Sequence, residues 1–185
     1  MEDIYLWWIG ADAVDTSLMN EVRLHVERVF ARPVRLWHGS ERPVDAFDPH
    51  RQQHSSGRIL RWLLTARPRH AHKTLAVTDV DLFIPILTFV FGEAQLDGTA
   101  AVVSIARLAE DTWPPSDVEL LMSRLIKECI HELGHTLGLI HCSRPRCVMA
   151  RSAKVADVDA KDAALCQDCR TRYMELQQRG IKAHE

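Results

Sequence analysis

The sequence has no cysteine before Cys129, no apolar run near the roughly twenty residues that span a bilayer, and no block of like charge. Each absence excludes a class. Lacking an apolar span, the chain is not expected to sit in a membrane. With 46% hydrophobic residues and only scattered charges, it has enough apolar surface to bury and does not read as disordered. The stretch from Met1 to Gly10 lacks a basic region and a small-residue cleavage site, so it does not read as a signal peptide, and a cytoplasmic location is expected. A formal net charge of -2 provides no general pull toward nucleic acid or anionic lipid. No internal repeat, low-complexity tract or linker divides the chain.

What is present fits one domain spanning residues 1–185. A chain of this length buries roughly 70% of its unfolded surface on folding, so neither disulfides nor association is needed, and a monomer is expected. Strands are predicted over Asp3–Ile9, Val34–His38 and Lys73–Val80, and helices over Asp15–Ala31 and Arg58–Ala66, with Gly39–Gly57 between them as loop. Two further β-rich runs, Phe89–Gln95 and Ala100–Ala106, flank Asp97-Gly98, a pair that favours a type I′ hairpin turn. Ser116 and Glu119 form a candidate capping box for a helix running to about Leu137, apolar around much of its circumference and therefore central. A last helix is expected from about Asp159 to Gly180, with Leu165, Cys169, Tyr173 and Leu176 inward. Strands precede the last two helices, an α+β order. Because the sequence enters a strand almost at once, no inhibitory pro-segment is expected.

The central helix ends in His131-Glu132-Leu133-Gly134-His135-Thr136-Leu137-Gly138-Leu139-Ile140-His141, the pattern H-E-x-x-H-x-x-G-x-x-H. Residues four apart lie about 40° apart around a helix, so the imidazoles of His131 and His135 can share one zinc. Gly138 can take positive φ, end the helix and turn His141 back as a third ligand. Three histidines leave the fourth position of zinc open, as catalysis requires. Glu132 sits between the ligands and suits general-base work, taking a proton from water and passing it to a leaving amine. These parts suit amide hydrolysis.

The remaining cysteines fall as Cys142-x4-Cys147 and Cys166-x2-Cys169, a four-thiolate set that closes a zinc completely and reads as a second, structural site. Arg144, Arg146, Arg170 and Arg172 are placed to offset its charge. Four unconnected reduced cysteines, and a redox pair at Cys166 and Cys169, remain as alternatives. From His141 onward the chain has nine basic against six acidic residues, which thiolate compensation explains without nucleic acid. Asp79 and Asp81 read as solvated turn carboxylates. His38, His50, His54, His70 and His72 lack ligand spacing.

The histidine motif followed by Met149 resembles the metzincins, in which a methionine turn lies beneath the catalytic zinc. The added C-x4-C-x-M and the later C-x-x-C resemble the archaemetzincin branch, with a spacer one residue shorter than the family pattern. The resemblance implies a zincin-like fold: a twisted mixed β-sheet with an antiparallel edge strand over the central active-site helix, then a small zinc-bound C-terminal subdomain (139–185 after 1–138). It implies two Zn2+ per chain and a peptide or protein substrate held in extended form along the edge strand, here Phe89–Gln95. Glu93 on that strand is a candidate acceptor for a substrate's free α-ammonium, which would favour removal of N-terminal residues. The expected function is zinc-dependent peptide hydrolysis with Glu132 as base. The alternative is a catalytically weak, zinc-stabilised peptide-binding or scaffold protein.

Overall fold

The computed structural model describes residues 3–10, 16–39, 42–109 and 117–182. Five strands form one sheet in the order β2 (Val34–Trp37), β1 (Ile4–Trp8), β5 (Lys73–Thr78), β8 (Ala100–Ser104) and β7 (Gly92–Ala94). All neighbours are parallel except β7, which runs antiparallel to β8 at the edge. Every residue of β5 and β8 is buried, as expected of parallel strands covered on both faces. Alternation sends Leu75, Val77, Ala101 and Val103 into a large core with helices α1 (Thr16–Phe30) and α3 (Val118–Thr136). It sends Ala76, Ala100 and Val102 into a smaller core under α2 (Ser56–Ala66), with Ile59 and Leu63.

Several elements differ from the sequence expectation. The 39–57 loop contains strands β3 (Phe47–Asp48) and β4 (Gln53–Ser55), which pair with β6 (Leu82–Phe83) in a second, three-stranded sheet. Helix α2 begins at Ser56, where the Ser55 hydroxyl accepts from the Arg58 N–H. The edge strand is shorter than Phe89–Gln95, because Val90 leaves the main sheet to donate its N–H to the Leu82 carbonyl. The hairpin turn is not type I′. Positive φ falls on Asp97 (53°) and not on Gly98, and the Asp97 N–H donates to the His135 carbonyl, so docking on α3 sets the turn. Ser116 lies outside the described residues, as does Asp15. The observed cap of α3 is Asp117, whose carboxylate accepts from the Leu120 N–H at 2.9 Å.

The expected final helix is two, α4 (Val155–Ala160) and α5 (Gln167–Lys182). The break lets Lys161 turn inward and Cys166 face the other cysteines. Helix α5 docks on the end of α1 through Tyr173, whose hydroxyl donates to the Phe30 carbonyl at 2.8 Å. Among the described residues no helix is long and apolar enough to cross a membrane.

Candidate active site

Helix α3 carries Cys129, Ile130 and Leu133 into the large core, and this fixes the rotation that turns His131 and Glu132 toward the cleft. Its end is a Schellman motif: the Leu139 N–H donates to the Gly134 carbonyl, the Gly138 N–H to the His135 carbonyl, and Gly138 has φ +87°. The reversal brings His141 back, and the three imidazoles cluster with their ligand nitrogens within 4.8 Å of one another.

Each helical histidine is held through Nδ1. His131 Nδ1 lies 2.8 Å from the Val148 carbonyl and His135 Nδ1 lies 2.8 Å from the Leu139 carbonyl. A carbonyl only accepts, so both Nδ1 atoms carry the proton and both Nε2 lone pairs are bare. Those two Nε2 atoms face each other at 3.1 Å. Two lone pairs at that distance repel, whereas two nitrogens sharing a tetrahedral zinc sit about 3.3 Å apart. The donor set therefore fits a metal. Burial, ahead of neighbouring charges, holds His131 well below the usual imidazole range and lowers His135 and His141, so the rings are neutral ligands.

Glu132 is buried beside this cluster. Burial first, then the nearby Glu128 carboxylate, pushes its carboxyl upward. A cavity of about 290 Å³ is lined by Glu132, Glu128, His131 and His141 on one side and by Leu87–Gly92 and Arg151–Ala153 on the others. Met149 is fully buried against α3, and a Cβ on Gly134 would lie 2.5 Å from its sulfur, which explains a glycine inside the motif.

The second cluster brings Cys142, Cys147, Cys166 and Cys169 together, with sulfurs within 4.8 Å of one another. Cys142 and Cys166 are 3.8 Å apart, too far for a disulfide at about 2.05 Å and close to the separation of about 3.8 Å for two thiolates on one tetrahedral zinc. Burial raises the Cys166 thiol, but the Cys169 N–H and the neighbouring thiols outweigh it and bring it to about 7. The charge compensation agrees with expectation in part, since the charge of Arg144 acts on Cys166 and Cys142. Arg144 and Arg146 give their guanidinium groups to Asp168 and Asp162, while the sulfurs accept backbone N–H bonds, Arg144 to Cys142 and Cys166 to Cys147. The Cys142 N–H donates to the Met149 carbonyl at 2.9 Å, so the cysteine loop and the methionine turn form one unit.

Glu93 does not line the cavity, although its charge acts on Glu132. It pairs with Val102, whose side chain belongs to the core under α2, and its carboxylate lies near Gly57. Its Oε2 is buried without a hydrogen-bond partner among the described residues. Asp81 and Asp79 are not solvated turn carboxylates: Arg107 grips Asp81 with two nitrogens, Gln53 adds a third bond, and Arg42 pairs with Asp79. Sequence reasoning missed Glu128, Lys161 and the Arg151–Ala153 wall. Glu128 is one helical turn before Glu132, a usable signal. Lys161 carries no local signal, because only its buried 2.9 Å pairing with Glu128 reveals it.

Comparison with known proteins agrees with this geometry. The model of peptidase family M54 matches residues 4–176. An archaemetzincin of Methanocaldococcus jannaschii is 44% identical over 140 residues, covering 75% of this chain and 74% of its own. The crystal structure of an archaemetzincin from Methanopyrus kandleri superposes with a TM-score of 0.84 at 31% identity, covering 96% of both chains. That of an archaemetzincin from Archaeoglobus fulgidus, complexed with malonate, gives 0.78 at 34% identity, covering 92% of this chain and 99% of that one.

Proposed function

We propose that this chain, which belongs to peptidase family M54 and is a zinc metallopeptidase, uses Glu132 as the general base of peptide-bond hydrolysis beside a zinc held by His131, His135 and His141. The second zinc is structural, and Cys142, Cys147, Cys166 and Cys169 are the residues to hold it. Bound zinc supplies Lewis-acid polarisation of the scissile carbonyl and lowers the pKa of water to about 7. The protein's own residues do the rest. Strand β7 has an outer edge without a strand partner among the described residues, and an extended peptide can add to it through backbone hydrogen bonds. Gly92 on that strand has no side chain, and the Glu132 carboxylate fills the space beside it, so a peptide on the strand would lie next to the base. Glu132 then takes the proton of the attacking water and delivers it to the leaving nitrogen.

The observation that carries this reading is the convergence of Glu132 and the histidine cluster on one cavity beside the edge strand. Glu93 offers no acceptor there, which favours internal cleavage over removal of N-terminal residues. The test is a peptide-library digest read by mass spectrometry with the parent and Glu132→Gln. The variant is expected to lose 10²- to 10⁴-fold in rate while keeping two zincs. Parental activity in the variant would remove Glu132 from the mechanism. Cleavage that requires a free N-terminus, tested against N-acetylated peptides, would restore the aminopeptidase reading.

A further inference from the structure

Met149 and Ala150 are followed by Arg151-Ser152-Ala153-Lys154, a polar stretch that the hydrolytic reading does not use. The basic residues around it are committed to internal partners. Arg124 grips Asp159 with two nitrogens, Lys127 donates to the Val158 and Asp159 carbonyls, Arg144 and Arg146 hold Asp168 and Asp162, and Lys161 is buried against Glu128. Arg151 and Lys154 have no side-chain ion pair among the described residues. Asp157, the nearest carboxylate in sequence, accepts backbone N–H bonds from Ala153 and Lys154, and its charge also answers part of that of the Lys154 ammonium, so Arg151 is the cation left without a counter-ion.

The two cations stand where substrate must pass. Arg151 lines the active-site cavity near His141, and Lys154 lines an adjoining hollow of about 540 Å³. Phe89 and Phe91 belong to both, so the two spaces are neighbours across one pair of rings. Ser152, between the cations in sequence, also lines the cavity, and its hydroxyl oxygen is buried without a hydrogen-bond partner among the described residues. The carboxylates facing these spaces are occupied: Glu128 by Lys161, and Asp81 by Arg107 and Gln53. Glu132 alone is left, for the chemistry. The wall thus presents a guanidinium with no ion pair, an ammonium whose charge is shared with Asp157, and a hydroxyl without a partner among the described residues, above an aromatic floor. A buried polar group without a partner and a cation without a counter-ion both gain from a ligand that accepts hydrogen bonds and carries negative charge.

We infer that the 151–154 wall selects substrates that carry a carboxylate close to the scissile bond, with Arg151 and Ser152 binding it and Lys154 attracting it. This rests on the peptidase reading of the same cleft and names its substrate class. The carboxylate comes either from an Asp or Glu side chain or from a free C-terminus. A guanidinium and a hydroxyl aimed at an anion discriminate strongly against the neutral amide, because the amide leaves the charge unanswered.

The test uses the zinc-loaded protein and short fluorogenic peptides in which a single Glu or Gln is moved through each position, each made with a free and an amidated C-terminus. One Glu position is expected to raise kcat/KM roughly tenfold over Gln. Arg151→Gln should abolish that gain, Arg151→Lys should keep part of it, and Lys154→Gln should reduce it together with its salt dependence. If amidation removes the gain and Glu→Gln does not, the carboxylate is the C-terminal one. If cleavage proceeds but the parent and Arg151→Gln treat Glu and Gln alike with either terminus, the inference is overturned while the peptidase reading stands. If no peptide is cleaved, the peptidase reading fails, and the inference is judged on binding. Fluorescence anisotropy of labelled peptides with zinc-loaded Glu132→Gln must then show preference for the carboxylate form and its loss on adding Arg151→Gln, and equal affinities overturn it.

Discussion

Gly92 and Glu132 touch across the cleft so closely that no side chain fits between them. A Cβ on Gly92 would lie 2.7 Å from Glu132 Cγ and 2.9 Å from its Oε1, and equally close to the Val102 carbonyl behind it. The edge strand therefore fixes the position of Glu132.

Gly92→Ala is expected to push the carboxylate of Glu132 from its position or the strand from β8. The expected outcome is a loss of at least about tenfold in kcat/KM with zinc content unchanged, and a destabilisation of about 1–3 kcal/mol from overpacking. Steady-state kinetics with metal analysis checks it. An unaltered kcat/KM would mean that the contact does not position Glu132.

Lys161 and Glu128 form a buried ion pair at 2.9 Å, and the same ammonium donates to the Ala150 carbonyl beside the methionine turn. Burial raises the Glu128 carboxyl, and Lys161 opposes that shift. Lys161→Met leaves an unpaired buried carboxylate and should cost about 3–5 kcal/mol. Adding Glu128→Leu removes the stranded charge and should recover most of the loss. Thermal unfolding of the zinc-loaded single and double variants decides this. A double variant no more stable than the single would show that the pair is not the source of the cost.

The two zinc sites should differ in lability, because His141 is exposed whereas Cys147 is buried and the other three sulfur ligands are half-covered. A mild chelator is expected to remove one zinc and leave the circular dichroism spectrum intact. Cys166→Ser should weaken the second site and lower the melting temperature, since binding of a structural metal is coupled to folding. Loss of both zincs together with unfolding would contradict the assignment.

Ala31, just beyond the last residue of α1, has φ +50°, a left-handed conformation that costs an L-residue about 1 kcal/mol and costs glycine nothing. Ala31→Gly should relieve this strain and raise the melting temperature by roughly 2 °C. A lower melting temperature would show that the entropy of glycine in the unfolded chain outweighs the relief.

The sequence by itself determined what depends on short spacing. Ligands four apart on a helix, a glycine that ends it and paired cysteines are local facts, and with them came the histidine and cysteine clusters, the position of Glu132 beside the histidines and the family resemblance. The buried strands Ile4–Trp8, Lys73–Thr78 and Ala100–Ser104 were legible for the same reason, since apolar runs report burial directly. The tertiary structure decided everything that needed a distant partner. Docking against α3 gave the hairpin its turn, Val90 left the main sheet because Leu82 accepts its N–H, and the expected last helix split where Glu128 draws Lys161 inward. Strand alternation limits Glu93 to two faces, but only pairing with Val102 and packing against α2 select the one away from the cleft. Arg151 and Lys154 stand out only because the neighbouring basic residues are seen to be occupied. A side chain's chemistry is written in the sequence, but whether that chemistry is already satisfied depends on contacts between residues far apart along the chain.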